Sequence, residues 1–170
     1  STAGEIEAFV LQVADECSHH DLGLMLEPLS YSLDAGKKLT SSEKRHVVIE
    51  TARRLTISGV DVLKSEFPLD ADTDPLETEW TKACREISLA SRAPWILLSA
   101  AVDFDTYQRQ VRVGCQAGAS GIAVRRAVWQ EAVGLDGPAR LTYLKEIARP
   151  RLETLARLCN DLARPWTDFY

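Results

Sequence analysis

Several features that would assign a chain to a class at once are missing from these 170 residues. No apolar run approaches the roughly 20 residues that a membrane span needs. The net charge of -5 argues against nucleic acid as the main partner, because neutralising phosphates requires a basic surface. No Gly/Ser-rich linker or low-complexity stretch divides the chain. We therefore predict a single domain over residues 1–170 that binds neither nucleic acid nor a membrane.

The four cysteines lie far apart and fall in segments with a helical pattern: Cys17, Cys84, Cys115 and Cys159. This spacing is typical of reduced, buried thiols, which predicts a cytoplasmic protein. Cys17 and His20 can share one helix face, but two ligands do not make a structural zinc site.

Short apolar runs alternate with helical patterns along the chain. Four runs are predicted to be strands: 22–26, 60–64, 95–99 and 121–124. Their length, and the turn residues around them, suit strands that are buried on both faces. Helices are predicted before the first strand and after every strand, opening near Ser41, at Asp74-Pro75, at Asp103 and at Asp136, with a break near Pro150 in the last.

Alternating strands and helices imply a parallel sheet with right-handed crossovers, so the fold class is α/β. Two architectures fit this order: an open doubly wound sheet, or part of a (β/α)8 barrel. There is no GxGxxG after the first predicted strand and no Walker loop, which removes the commonest nucleotide-binding versions. A complete barrel needs eight strands, and the sequence predicts four.

The candidate reactive residues lie at the ends of the strands, because ligands of parallel α/β folds bind at the carboxyl ends of the strands. Alternation places Lys64 and Glu66 on one face of the second strand and Leu63 and Phe67 on the other. If the leucine and phenylalanine face the helices, Lys64 points to the partly desolvated side, where a neutral, nucleophilic amine is favoured. Glu27, at the neighbouring strand end, is a candidate for moving protons.

A simpler interpretation stands beside this one. A lysine near a strand end also reaches solvent readily, and a glutamate before proline also closes a turn. Composition and spacing alone leave both interpretations of Lys64 and Glu27 open.

Four segments together are similar to a known family. The chain resembles class I (Schiff-base) aldolases of the tagatose-bisphosphate aldolase family, including sulfofructose-phosphate aldolase-like members. The resemblance covers about residues 20 to 135, in the family's order, and rests on 26–29 (LEPL), 59–68 (GVDVLKSEFP), 94–100 (PWILLSA) and 126–130 (RAVWQ).

The resemblance implies a role for each strand end. Lys64 corresponds to the lysine that forms an imine with a ketose phosphate, and Glu27 to a catalytic glutamate. Ser99, Ala100 and Arg126 correspond to residues around the substrate phosphate. The implied reaction cleaves a sugar phosphate, such as tagatose bisphosphate or a sulfofructose phosphate, to dihydroxyacetone phosphate and an aldehyde. Because the protonated imine accepts the electrons, the implied enzyme needs no cofactor or metal.

Two positions depart from the family pattern. Ala101 and Arg125 stand where the family usually has glycine, beside the expected phosphate. Glycine lets backbone N–H groups approach a phosphate closely, so a methyl at 101 is a small intrusion and a side chain at 125 a large one. Arg125 either adds an anion ligand or crowds the site.

The resemblance covers only the C-terminal half of the family barrel, about four βα units, and the family's N-terminal strands are absent from this chain. Such a half is expected to expose its interior face, including Met25, Val62 and Leu97, and to pair with itself or with a separate N-terminal half. The alternative function is therefore a catalytically incomplete half-barrel that binds sugar phosphates or completes a barrel with another chain.

Overall fold

A computed structural model describes residues 2–100 and 102–170 of the chain. It contains four β-strands, which alternate with helices in the predicted order. The elements are α1 (Thr2–His19), β1 (Met25–Leu26), α2 (Ser41–Leu55), β2 (Val62–Ser65), α3 (Glu77–Ala90), β3 (Trp95–Leu98), α4 (Phe104–Gln116), β4 (Gly121–Ala123), α5 (Arg126–Trp129), α6 (Gly137–Tyr143) and α7 (Arg149–Leu162). Short 3-10 helices cover Gln130–Gly134 and Trp166–Phe169.

The four strands form one parallel sheet in the order β1-β2-β3-β4. Leu26 pairs with Leu63, Lys64 with Ile96, and Leu98 with Ala123. Each crossover between neighbouring strands carries a helix, which is the connection that parallel strands require. The prediction of an α/β fold with a parallel sheet is confirmed. Among the described residues, no helix is long and apolar enough to cross a membrane.

Side-chain caps fix where two of the helices begin. Thr40 caps α2: its hydroxyl accepts the Glu43 N–H, and the Glu43 carboxylate accepts the Thr40 N–H at 2.8 Å. The Thr40 hydroxyl also donates to the Glu43 carboxylate, and this bond, together with the one from the Thr40 N–H, holds the pKa of Glu43 below its usual value. Asp103 caps α4 by accepting the Thr106 N–H at 3.0 Å, as the sequence predicted.

Two predicted boundaries differ most from the observed ones. α3 begins at Glu77 rather than at Pro75, because Asp74 lies in a preceding turn, where its N–H donates to the Asp70 carbonyl and its own carbonyl accepts the Trp80 indole N–H. The first strand was predicted over 22–26 and buried on both faces. It comprises only Met25–Leu26, at the edge of the sheet, where Met25 is 54% exposed.

The main core lies between the sheet and the helices that cover one of its faces. Leu63, Trp95 and Leu97 project from the strands into this layer, and Phe67 packs edge-to-face on Trp80 with ring centroids 5.2 Å apart. Leu97 was expected on the opposite, interior face. It is fully buried instead, because alternation along β3 turns Leu97 toward α4, where its carbonyl accepts the Tyr107 hydroxyl.

The C-terminal helix is interrupted near Pro150, as the sequence predicted. A π-helical turn over Leu144–Ala148 joins α6 to α7, and Pro150 is in the first turn of α7. Proline has no N–H to donate to the preceding turn, so the wider turn accommodates it without a chain reversal. α7 then packs along α4 through Leu155, which is fully buried.

The cysteines are free thiols, and their burial differs. Cys84 and Cys115 are buried, whereas Cys17 and Cys159 are half-buried. Burial raises the pKa of the Cys84 thiol to about 12, so it stays protonated and unreactive at neutral pH. The Cys115 and Cys159 thiols, on α4 and α7, interact with each other, and this interaction raises the pKa of Cys115 and lowers that of Cys159.

The burial of Leu63 predicts its contribution to stability. Leu63→Ala should lower the free energy of unfolding by about 3 kcal/mol, because it leaves a cavity between the sheet and α2 and α3. Leu89→Ala, at a position that is 87% exposed on α3, is the matched control and should change it by less than about 0.5 kcal/mol. Urea denaturation followed by circular dichroism measures both. Equal effects of the two substitutions would contradict the assigned core.

Candidate functional site

The polar residues predicted at the strand ends meet at one edge of the sheet, because all strands run in the same direction. Glu27 follows β1, Lys64 lies in β2, and Ser99 follows β3. Arg125 and Arg126 follow β4, with Arg126 opening α5. Ala100 is exposed next to Ser99, and Ala101 lies outside the described residues.

Lys64 and Glu27 form an ion pair, with the lysine Nζ 2.7 Å from the glutamate Oε2. The register explains the pair: Leu26 lies opposite Leu63, so the next residue of each chain segment, Glu27 and Lys64, come side by side. The Lys64 side chain is only 12% exposed, whereas that of Glu27 is 37% exposed. A mostly buried amine thus has one carboxylate within proton-transfer distance and an opening to solvent on the carboxylate's side.

Alternation along β2 is as predicted. Leu63 and Ser65 are buried in the helix-covered core, while Val62 and Lys64 lie on the other face, where they are only partly buried. Glu66, two residues beyond Lys64, accepts the Ser30 N–H at 2.6 Å and so ties the segment after β1 to the end of β2. A hydrogen bond to an ionised acceptor is stronger than a neutral one, so this contact holds the chain that follows Glu27.

Ser99 organises the end of β4. Its side-chain oxygen accepts the Arg125 N–H at 3.1 Å, and the serine is 3% exposed. The register again explains the contact, since Leu98 pairs with Ala123 and the chains continue in parallel to Ser99 and the segment before Arg125. The structure thus joins Ser99 to the backbone of Arg125.

The side chains of Arg125 and Arg126 take no part in this hydrogen bond. Both are exposed, and among the described residues neither guanidinium makes a hydrogen bond or ion pair. Arg126 lines a cleft of 460 Å³ together with residues of the following segments: Val102, Asp103, Phe104, Ala127, Gln130 and Glu131. Ser99 does not line this cleft, and its hydrogen bond is to the backbone of Arg125.

The acids beside Arg126 are already engaged. The Asp103 carboxylate accepts the N–H and hydroxyl of Thr106, which lowers its pKa. Glu131 accepts a hydrogen bond from Arg151 at 2.8 Å, and its pKa is lowered by a backbone hydrogen bond and by this arginine. Arg126 therefore remains a cation open to an anion from solvent.

A larger cleft, of 540 Å³, lies at the same edge of the sheet, and sequence reasoning missed it. The segment between β1 and α2 forms one wall, and Ala100 is part of the lining. Gln110, on α4, is 3% exposed and reaches this cleft. The signal in the sequence is a glutamine on a helix face that is otherwise apolar, between Tyr107 and Gly114.

Comparison with known proteins assigns the chain to a family. Residues 5–131 match the model of the DeoC/LacD family aldolases. The chain belongs to this family. The match contains every strand and the candidate residues at the strand ends, so the resemblance found in the sequence is confirmed.

The chain is also similar to two named proteins of Streptococcus pyogenes. Tagatose 1,6-diphosphate aldolase 1 of serotype M3 is 28% identical to the chain over 189 aligned residues, which cover 95% of the chain and 56% of the relative. Tagatose 1,6-diphosphate aldolase 2 of serotype M1 is 28% identical over 182 residues with the same coverage. The chain thus spans about half the length of the curated relatives it matches.

The hydrogen bond between Ser99 and Arg125 can be tested directly. Ser99→Ala should lower the free energy of unfolding by about 1 kcal/mol, because the half-buried Arg125 N–H loses its acceptor. Amide exchange of the peptide that contains Arg125 should become faster. Ser91→Ala, which removes a hydroxyl bound to the Ala93 carbonyl elsewhere, is the control and should leave this exchange unchanged. Unchanged exchange in Ser99→Ala would refute the contact.

Proposed function

We propose that the chain carries the imine-forming part of a class I aldolase that acts on a ketose phosphate. The observation that supports this most is the pair of Lys64 and Glu27, because it places a mostly buried amine 2.7 Å from a carboxylate at the strand ends. Membership in an aldolase family and the names of the relatives support carbon–carbon cleavage as the reaction. The proposed substrates are tagatose bisphosphate or a sulfofructose phosphate.

The first steps need a neutral amine, because only the free lone pair attacks a ketone carbon. The Glu27 carboxylate takes a proton from the Lys64 ammonium, and the freed Nζ adds to the C2 carbonyl while Glu27 gives that proton to the carbonyl oxygen. Glu27 then takes a second proton from Nζ to leave a carbinolamine, and it returns this proton to the departing hydroxyl, so that water leaves and a protonated imine remains. Glu27 can make these transfers because its carboxylate lies 2.7 Å from the Lys64 Nζ.

Carbon–carbon cleavage follows from the charge on that nitrogen. A base removes the proton of the C4 hydroxyl, the C3–C4 bond breaks, and its electron pair moves into the imine to form an enamine of dihydroxyacetone phosphate. The aldehyde leaves first. Protonation of the enamine at C3 and hydrolysis of the imine then release dihydroxyacetone phosphate and regenerate Lys64. Glu27 is the proposed acid and base in these steps.

The substrate phosphate is proposed to bind across the ends of β3 and β4. Arg126 is an uncommitted, exposed cation there, and the Ser99 contact fixes the backbone at Arg125. Ala100, Ala101 and the side chain of Arg125 complete the proposed site. An arginine at 125 adds a second positive charge at the place where the family pattern has glycine.

The proposed architecture is the C-terminal half of a (β/α)8 barrel, and it includes a partner. β1 and β4 are the edges of the sheet, and the face opposite the helices leaves Met25 exposed and Val62 and Ile96 half-exposed. A second copy of the chain or a separate N-terminal half would cover this face and supply four more strands. Without one, the alternative function is a half-barrel that binds sugar phosphates without cleaving them.

Reductive trapping tests the role of Lys64. Dihydroxyacetone phosphate and borohydride should add one stable mass to the peptide that contains Lys64, because reduction fixes the imine. Lys64→Met should remove the label. Lys44→Met, at another half-buried lysine, is the control and should keep it. Mass spectrometry of the digested protein measures the outcome.

The same experiment tests Glu27. Glu27→Gln keeps the size of the side chain but cannot accept the ammonium proton, so the rate of trapping should fall by about a hundredfold. Label on another lysine, or an unchanged rate in Glu27→Gln, would disprove the assigned roles.

Assembly can be predicted from the uncovered face. At micromolar concentration the chain should form a dimer, or bind a separately produced N-terminal half, because either partner buries the apolar residues around Met25. Met25→Asp should shift the equilibrium to monomer by placing a charge in the contact, whereas Leu89→Asp on the helix-covered side should not. Light scattering measures the mass. A chain that stays monomeric and does not bind the N-terminal half would refute barrel completion.

A further inference from the structure

The strand hydrogen bonds of β1 do not fix the position of Glu27. β1 comprises two residues at the edge of the sheet, so its ladder with β2 is short. Glu27 lies just beyond this ladder, and within residues 2–100 and 102–170 the main chain of residues 27–29 makes no hydrogen bond. A segment with so few backbone contacts moves independently of the sheet unless side chains hold it. The placement of the Glu27 carboxylate therefore depends on contacts made by side chains.

Glu66 makes such a contact. Its Oε2 accepts the Ser30 N–H at 2.6 Å, three residues beyond Glu27. Glu66 is half-buried and directly follows β2, two positions beyond Lys64, so the segment that carries the amine also carries this acceptor. A hydrogen bond to a carboxylate is stronger than one between neutral groups. The chain that leaves β1 is thus held at two points, by the ion pair and by this hydrogen bond.

The amino-terminal side of β1 has a contact of the same kind. Asp61 directly precedes β2, and its Oδ2 accepts the Leu24 N–H at 2.6 Å. Between Leu24 and Glu27 lie the two residues of β1, both of which are paired with β2. No residue between Glu27 and Ser30 is paired with a strand. A displacement at Leu24 is therefore absorbed by the ladder, whereas a displacement at Ser30 reaches Glu27.

We propose that Glu66 is a positioning residue for the proton transfers at Lys64: by holding the Ser30 N–H, it keeps the Glu27 carboxylate against the amine. This role rests on the proposed function, which assigns those transfers to Glu27. Among the described residues, Glu66 forms no ion pair or hydrogen bond with Lys64, so it acts through Glu27. Proton transfer requires hydrogen-bonding distance, and a displacement of about 1 Å can slow a reaction by about a hundredfold.

Reductive trapping of dihydroxyacetone phosphate on Lys64 tests this role. Glu66→Ala should lower the maximal rate of trapping by about tenfold, because the Glu27 carboxylate is held less closely. The concentration of dihydroxyacetone phosphate that gives half this rate should change by less than about twofold, since the proposed phosphate site lies at other strand ends. Glu66→Gln keeps an acceptor oxygen and should restore most of the rate.

Asp61→Ala is the matched control. It removes a carboxylate from an N–H of equal hydrogen-bond length on the other side of β1, and it should keep the trapping rate within about twofold of that of the unmodified chain. Equal losses of rate in Asp61→Ala and Glu66→Ala would mean that general loosening of β1 causes both, which would overturn the proposal.

A double substitution separates positioning from a structural role. In a Glu27→Gln background, Glu66→Ala should lower the trapping rate by less than about twofold, because no carboxylate is left to position. A further tenfold loss in this background would show that Glu66 acts independently of Glu27, and would overturn the proposal.

Acetylation of Lys64 tests positioning without aldolase chemistry. Acetic anhydride reacts with a free amine, so an amine held in an ion pair reacts slowly. Glu66→Ala should raise the acetylation rate of Lys64 severalfold relative to that of Lys44, whereas Asp61→Ala should not. Mass spectrometry of the digested protein measures both rates. This increase supports the positioning role even if the unmodified chain traps no dihydroxyacetone phosphate, an outcome that would refute the proposed function alone. Unchanged acetylation in Glu66→Ala would overturn the positioning role.

Discussion

The parallel register of the sheet is the constraint on which the candidate site depends. Pairing of Leu26 with Leu63 brings Glu27 beside Lys64, although the two residues are 37 positions apart. The same alternation that sends Leu63 into the core leaves Lys64 on the opposite face. Any slip by one residue would bury the lysine among the helices and expose the leucine, so core packing and chemistry are fixed by one set of strand hydrogen bonds.

Side-chain acceptors then hold the segments that leave the strands. Asp61 accepts the Leu24 N–H at 2.6 Å, and Glu66 accepts the Ser30 N–H at 2.6 Å, before and after β2. Ser99 does the same for the Arg125 N–H. These contacts replace the regular ladder where the strands end, and they keep neighbouring strand ends together where the longer connections would otherwise move independently.

The sheet face opposite the helices is the surface through which the chain is proposed to assemble. Within residues 2–100 and 102–170, helices cover one side of the sheet, and the other side carries both apolar residues and the Lys64–Glu27 pair. A partner on this face would therefore change the solvation of the pair as well as the apolar surface. Desolvation strengthens the interaction of a charge pair and excludes water from an imine, so the proposed chemistry and the proposed assembly depend on the same surface.

Local patterns in the sequence were sufficient for part of this structure. The order of strands and helices, the Asp103 cap and the break near Pro150 follow from periodicity, capping and the missing N–H of proline, which act within a few residues. Pairing of Lys64 with Glu27 was also within reach, because consecutive parallel strands lie side by side. The start of α3 was not, since it depends on the Trp80 indole that binds the Asp74 carbonyl.

Burial was decided by the tertiary structure. Met25 and Leu97 are equally apolar in the sequence, yet Met25 is 54% exposed at a sheet edge and Leu97 is fully buried under α4. Gln110 is polar and buried, because the helix that carries it is packed against the sheet by Tyr107 and Val111. The sequence by itself determined which elements form and which residues end the strands. Only the fold decided which side chains meet solvent and where clefts open, since both depend on neighbours that are distant along the chain.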